Sequence, residues 1–120
     1  MSHQLICYEL LPMNKLIVKV IKIKGTCPVY EVGDKIVIDE GYKLNLEETD
    51  NVCMHSLASI MPYYVALSKG VDPKTLGLAK EGSKAYLQCL DPCEITGGGT
   101  VVFEVGLTEM ECSNKLLQGM

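Results

Sequence analysis

Apolar residues in this chain fall in short runs, several of which alternate with polar residues at the spacing of a β-strand. The first run is rich in β-branched residues and apolar on both sides, as in the interior of a sheet. Gly and Pro separate the later runs, and both residue types end strands. The pattern predicts four strands and a short fifth between the second and third of them: residues 16–23, 35–39, 84–89 and 100–105, with the short one at 42–46.

Helical character follows an acidic stretch at residues 47–51, where acids and cap-forming side chains precede an apolar segment of helical period. The spacing predicts a helix from Val52 to about Met61. Pro62 then either kinks this helix or opens a second one, and Gly70 ends the helical region. One helix face is predicted to pack on the core, and it carries Met54, Leu57, Ala58 and Met61. A pocket beside the kink at Pro62 is a further hypothesis.

The order of these elements predicts an α+β fold, a small and mainly antiparallel sheet packed against one kinked helix or a helical pair. Residues 71–83 are polar and predict a surface loop, and Gly97, Gly98 and Gly99 predict a flexible turn. The tail after Gly106 has at most weak helical character. A chain of 120 residues is the size of one domain, with its core at about residues 15–106 and frayed termini.

Charge argues against a nucleic-acid partner. The net charge is −4, and all eleven basic residues are Lys, so the bidentate guanidinium fork that reads guanine or clamps a phosphate is missing. The first eleven residues lack the pattern of a signal peptide. The longest apolar run is interrupted by Lys19 and Lys22 and is too short for a membrane span. We therefore expect a cytoplasmic protein whose thiols stay reduced.

Six cysteines are the main candidates for chemistry, although no pair has the two-residue spacing of zinc or dithiol motifs. Cys27 follows a strand in a turn, Cys53 lies in the first turn of the predicted helix, and Cys89 ends a strand. Because sites are often built at the ends of elements, these three, with Cys93, are candidate ligands for zinc or an iron–sulfur cluster. Buried free cysteines are also ordinary small apolar side chains, and that interpretation stays open.

Other residues give little support for catalysis. His55 lies two positions after Cys53, and such positions do not face each other on a helix. Gly82 and Ser83 form only part of a nucleophile elbow. The three glycines at 97–99 lack the Lys and Ser or Thr of a phosphate-binding loop. No residue is assigned a catalytic role.

Several short motifs in a fixed order resemble a family of small uncharacterised proteins from archaea and anaerobic bacteria. They are Gly25-Thr26-Cys27-Pro28, Val32-Gly33-Asp34, Cys53 at a helix start with Pro62 after it, and Cys89-Leu90-Asp91-Pro92 before the last strand. The family often has a proline directly after the helix cysteine, where this chain has Met54. The resemblance implies that Cys27, Cys53 and Cys89 belong together, and it implies no activity.

Three interpretations of function follow. The first is a small binding module, not an enzyme, with a thiol-lined site for a metal ion, a cluster or an unidentified small molecule. The second is a redox protein or thiolate-dependent enzyme that uses Cys53, because a helix N-terminus favours a thiolate. The third is a structural or interaction domain with inert thiols that covers its sheet edges by forming a homo-oligomer.

Overall fold

The computed structural model describes residues 14–109 and contains a five-stranded sheet in which every neighbouring pair of strands is antiparallel. The strand order across the sheet is β3-β2-β1-β5-β4. This arrangement, with three short helices, confirms the predicted α+β class. The strands are β1 (Asn14–Gly25), β2 (Lys35–Asp39), β3 (Lys43–Leu44), β4 (Ala85–Gln88) and β5 (Gly99–Glu109).

The two long strands β1 and β5 form the centre of the sheet. β5 is longer than the predicted strand at residues 100–105. The chain after Gly106 continues as strand to Glu109 and has no helical character there. The reason lies in the pairing partner, because Leu107 lies opposite Leu16 and Glu109 lies opposite Asn14. A ladder with β1 overrides the weak local preference of this short segment.

A β-bulge at Ile21 determines which side chains of β1 face the core. Val20 lies opposite Phe103 and Lys22 lies opposite Val102, so Ile21 is the extra residue. Side chains alternate along a strand, and an uninterrupted ladder would therefore turn Lys22 and Lys24 towards the core. The bulge restores the alternation. Ile23 packs against the core on the same face as Val20.

Two helices pack against one face of this sheet, in agreement with the prediction of a helical pair. They are α1 (Met54–Ile60) and α2 (Tyr64–Ser68), and Pro62 lies in the turn between them. A third, unpredicted helix of four residues, α3 (Cys93–Thr96), precedes β5. No helix among residues 14–109 has the length and apolar character needed to cross a lipid bilayer.

The orientation of α1 differs from the prediction. The buried residues of the helix are Ser56 and Ile60, whereas Met54 is 74% exposed and Met61, just after the helix, is 54% exposed. Helical spacing correctly placed Met54 and Met61 on one side but assigned that side to the core. The physical reason is a buried polar contact at Ser56, which is described below.

Candidate functional site

Two of the four predicted site cysteines, Cys27 and Cys53, lie beside Tyr30. Cys89 is buried in the core cluster, and Cys27 and Cys53 are half-buried and pack against it. The amide of Tyr30 donates a hydrogen bond to the sulfur of Cys27 at 3.4 Å. The amide of Cys53 donates to the hydroxyl of Tyr30 at 2.7 Å. Tyr30 therefore lies between the two half-buried cysteines.

The hydroxyl of Tyr30 takes part in a closed ring of hydrogen bonds with the start of α1. Ser56 donates its hydroxyl proton to the carbonyl of Cys53 at 2.7 Å. The oxygens of Tyr30 and Ser56 are 2.7 Å apart, so the proton between them belongs to Tyr30, which donates to Ser56. The oxygen of Tyr30 in turn accepts the amide proton of Cys53. Every hydrogen-bonding proton in this ring has a partner, as buried polar groups require.

Burial raises the pKa of the Tyr30 hydroxyl, although its hydrogen bonds to Ser56 and Cys53 act in the opposite direction. Tyr30 is 4% exposed, and its ring meets Phe103 edge to face with centroids 5.7 Å apart. A phenol in this setting stays protonated, which the donated hydrogen bond to Ser56 also requires. We conclude that Tyr30 anchors the start of α1 to the core of the sheet.

Two glycines let the segment that carries Cys27 lie against the start of β5. A Cβ atom on Gly99 would lie 2.8 Å from the amide nitrogen of Cys27, and one on Gly25 would lie 2.5 Å from the carbonyl oxygen of Gly98. The three glycines at 97–99 were predicted to supply flexibility. Gly99 instead permits close packing of two backbones, and only Gly97 has the left-handed conformation that ends α3.

Cys93 lies apart from the Tyr30 ring, on α3. Its side chain packs against Gly25, and its amide is 3.4 Å from the hydroxyl of Thr100. Across residues 14–109, no group of three or more His, Cys, Asp or Glu side chains is arranged to hold a metal ion. A zinc or iron–sulfur site at Cys27, Cys53, Cys89 and Cys93 therefore stays a prediction from sequence. His3, Cys7 and Cys112 lie outside the described residues.

A second candidate site is an apolar groove between the β2–β3 hairpin and the two helices, beside Pro62, where the sequence indicated a pocket. We call it the α1 groove. Its volume is about 180 Å³, and its lining is entirely aliphatic, aromatic or thioether: Ile36, Ile38, Tyr42, Leu44, Val52, Leu57, Ile60, Met61 and Tyr64. Cavities that enclose small-molecule ligands measure roughly 300–1,000 Å³. The α1 groove is the size for one or two side chains.

The hairpin wall of the groove is set by a tight turn at Glu40 and Gly41. Both residues have positive φ, 57° and 80°, and the amide of Tyr42 donates to the carbonyl of Asp39 at 3.2 Å. Positive φ at both central residues is typical of the type I′ turn of hairpins. Gly41 is also needed for packing, because a Cβ there would lie 3.1 Å from Cβ of Ser68. The turn leaves Tyr42 78% exposed at the mouth of the groove.

Three larger clefts are lined by mixtures of polar and apolar groups, and the smallest of them, of about 260 Å³, lies at the β2–β3 hairpin. One of about 340 Å³ lies beside α2, and its Lys74 already donates to Asp72 and to the carbonyl of Gly82. The third, of about 360 Å³, lies beside Cys93 and α3. Their linings contain few groups that are both buried and free to hold a ligand. The α1 groove differs from all three because its lining is mostly apolar, and the hydroxyls of Tyr42 and Tyr64 are its only polar side-chain groups.

The role of Tyr30 was not predictable from the sequence, and the groove was predictable only in part. Tyr30 follows Cys27 and Pro28 in a turn-rich stretch, and nothing in its neighbours predicts a hydrogen bond to Ser56, 26 residues away. The groove was indicated only by Pro62. Comparison with protein-family models, with curated proteins and with solved structures gave no significant match.

Proposed function

We propose that this protein is a non-enzymatic binding module that forms a homodimer through the α1 groove. The observation that carries this proposal is the orientation of α1. The helix buries Ser56 and Ile60 and turns the side that carries Met54, Ala58 and Met61 outward, next to the groove. An outward apolar side on a helix is typical of a surface that is covered in the working assembly.

A second copy of the chain is the occupant that this surface fits. The same patch offers an apolar groove and, beside it, exposed apolar side chains of the size that would fill it, namely Tyr42 and Met61. A twofold dimer needs a surface that is complementary to itself, with each copy giving and receiving the same contacts. In the proposed dimer, Tyr42 of each protomer enters the groove of the other.

Cys27 and Cys53 have structural roles in this proposal, Cys27 through its sulfur and Cys53 through its backbone. Cys53 supplies the amide and the carbonyl that close the hydrogen-bond ring, and the sulfur of Cys27 accepts the amide of Tyr30. These contacts hold α1 in the orientation that exposes Met54 and Met61. The four described cysteines are all free thiols. The proposal places the protein in a reducing compartment such as the cytoplasm, where thiols stay reduced.

Sedimentation equilibrium of the wild-type chain and two variants tests the dimer. Met61→Lys places a charge in the groove, and we expect it to weaken dimerisation at least about tenfold, because a buried unpaired charge is costly. Lysine suits this position in the monomer, since Met61 follows the C-terminal end of α1. The matched control is Ile95→Lys on α3, where the side chain is 86% exposed and lies outside the groove.

The proposal requires a wild-type dimer that Met61→Lys disrupts and Ile95→Lys leaves unchanged. A wild-type chain that stays monomeric at the highest soluble concentration would contradict it. A dimer that Ile95→Lys weakens as much as Met61→Lys would place the interface elsewhere. Circular dichroism of each variant verifies that the fold is intact before its mass is interpreted.

A further inference from the structure

The sheet face opposite α1 and α2 carries most of the lysines of an otherwise acidic chain. Strand alternation and the pairing registers place on this face six of the eleven lysines in the sequence. We call this surface the lysine face, and its lysines are Lys15, Lys19, Lys22, Lys24, Lys35 and Lys84. In the strands, only Asp39 and Glu104 place carboxylates on the same face.

The bulge at Ile21 places two of these six lysines on this face. Lys22 and Lys24 follow the bulge, and they share a face with Lys15 and Lys19 only because one extra residue has changed the phase of the strand. Gly106 contributes in another way, since a Cβ there would lie 2.5 Å from the ammonium nitrogen of Lys84. The side chain of Lys84 therefore extends across β5, over the glycine, on the lysine face.

The arrangement of these charges conflicts with the ordinary pairing rules of a sheet. Lys19 lies directly opposite Lys35, and like charges in that position destabilise a sheet. Two of the six lysines have ion-pair partners, Lys15 with Glu48 and Lys24 with Glu94. Within residues 14–109 the other four have none. Lys19 also lies directly opposite Glu104 on β5, which offsets part of the repulsion from Lys35. The six lysines still outnumber the four carboxylates described at this face, which are Asp39, Glu104 and the ion-pair partners Glu48 and Glu94.

We propose that the lysine face binds an acidic segment of a partner polypeptide. Carboxylates of such a segment would pair with the lysines that have no ion-pair partner within residues 14–109, namely Lys19, Lys22, Lys35 and Lys84. The excess of lysines over carboxylates on this face fixes the sign of the partner's charge as negative. Half-buried Ile17 and Val102 lie on the same face and offer contacts for apolar side chains between the carboxylates. The partner is therefore a segment in which acidic and apolar residues alternate.

The same face is poorly suited to a nucleic acid. It has no Arg to grip a phosphate with two parallel hydrogen bonds. Its exposed aromatic residue, Tyr86, is held by a hydrogen bond from its hydroxyl to Glu104 at 3.1 Å, and one ring is a small platform for stacked bases. The net charge of −4 also repels a long polyanion. A short acidic peptide needs no platform for stacked bases, and its few charges are repelled less by the net charge than those of a long polyanion.

Fluorescence anisotropy with a labelled peptide of alternating Glu and Val tests the lysine face in the full chain. The wild type should bind this peptide in a salt-dependent manner. The double variant Lys19→Ala, Lys35→Ala should bind it about tenfold more weakly, as expected for the loss of two exposed charge pairs. The control is Lys69→Ala, Lys80→Ala, which removes two exposed lysines from loops outside this face and should change affinity less than about twofold.

Unfolding in urea gives a second readout. The double variant removes the Lys19–Lys35 repulsion and the Lys19–Glu104 attraction, which offset each other, so it should be about as stable as the wild type. Weaker peptide binding without loss of stability supports the proposal. Equal weakening by the control variant, or no binding of the peptide by the wild type, overturns it. Tighter binding of a labelled oligothymidylate than of the peptide overturns the choice of partner. Each result is independent of dimerisation through the α1 groove.

Discussion

The hydroxyl oxygens of Tyr30 and Ser56 lie 2.7 Å apart in the core, and this contact decides which side of α1 faces inward. Ser56 is fully buried although it is polar, and it is four residues from buried Ile60 on the same side of the helix. With that side fixed on the sheet, Met54 and Met61 must face outward. A buried polar contact thus produces the exposed apolar surface that we propose for dimerisation.

Removal of the Tyr30 hydroxyl tests its role as the anchor of α1. Tyr30→Phe leaves the amide of Cys53 without its acceptor and Ser56 without a donor. We expect the free energy of unfolding to fall by about 1–3 kcal/mol, the usual cost of an unsatisfied buried group. The measurement is urea unfolding of the full chain.

Tyr86→Phe is the matched control for this substitution. The hydroxyl of Tyr86 bonds to Glu104 on the surface, so its loss should change the free energy of unfolding by less than about 0.5 kcal/mol. If the two variants lose equal stability, the ring of hydrogen bonds around Tyr30 contributes little to folding. The conclusion that Tyr30 anchors the start of α1 would then be wrong. Dimerisation of Tyr30→Phe should also weaken, because α1 is less firmly oriented.

The raised pKa of Tyr30 predicts a dependence of stability on alkaline pH. The folded chain holds the phenol proton more tightly than the unfolded chain, so its contribution is complete below the unfolded pKa of about 10 and is lost as pH rises through the folded pKa. The free energy of unfolding should therefore fall above about pH 10.

The comparison of wild type with Tyr30→Phe isolates this effect, since the variant should show a smaller alkaline decrease. The pKa of Tyr86 is raised as well, by its hydrogen bond to Glu104, but that contribution is common to both proteins. Identical alkaline slopes for the two proteins would show that Tyr30 does not control this dependence.

The sheet was largely predictable because its strands carry their own signals. Residues 35–39 were predicted with the bounds that the structure shows, and the runs at 16–23 and 100–105 lie inside β1 and β5. What the alternation did not show was the extra residue in β1. A bulge depends on the partner strand, since it is defined by two residues opposite one, and no single strand carries that information.

Deletions in β1 test whether the extra residue Ile21 changes which side chains of the strand face the core. Deletion of Ile21 removes the extra residue and leaves a regular alternation, so we expect a folded protein whose stability changes by no more than about 1–2 kcal/mol. Deletion of Ile17 is the control, because the alternation that remains must turn either Lys15 or Lys19 towards the core. The first should give a cooperative unfolding transition, and the second should not.

Reversal of that order would contradict the assignment of Ile21 as the extra residue. The deletion of Ile21 should also preserve peptide binding at the lysine face, because Lys22 and Lys24 keep their side of the sheet. Loss of peptide binding in a folded Ile21 deletion would show that binding also needs the local twist of the bulge, and not only the placement of Lys22 and Lys24 on the lysine face.

Burial predicts the order in which the thiols react. In a chain with Cys7 and Cys112 replaced by Ser, pulse alkylation and mass spectrometry should modify half-buried Cys27, Cys53 and Cys93 in the folded protein. Cys89 is 6% exposed and should react only when the sheet opens. Early modification of Cys89 would contradict its place in the core, and exclusive early modification of Cys53 would favour thiolate chemistry at that residue.

The candidate site was less predictable than the sheet because it depends on contacts between distant segments. The sequence correctly placed Met54 and Met61 on one side of a helix, but helical spacing cannot tell which side is buried when both sides carry apolar residues. The α1 groove adds residues from β2, β3 and α2 to that helix. Only the packed structure shows that Tyr42 and Met61 lie beside the same cavity.

The most direct test of the proposed dimer is an isotope-filtered NMR experiment on a mixture of labelled and unlabelled chains. It detects protons of one copy that lie close to protons of the other. We predict intermolecular cross-peaks between the ring of Tyr42 and the methyl groups of Leu57 and Ile60, which line the groove. Intermolecular cross-peaks confined to other surfaces, or none at concentrations where the chain is dimeric, would contradict the assignment of the α1 groove as the interface.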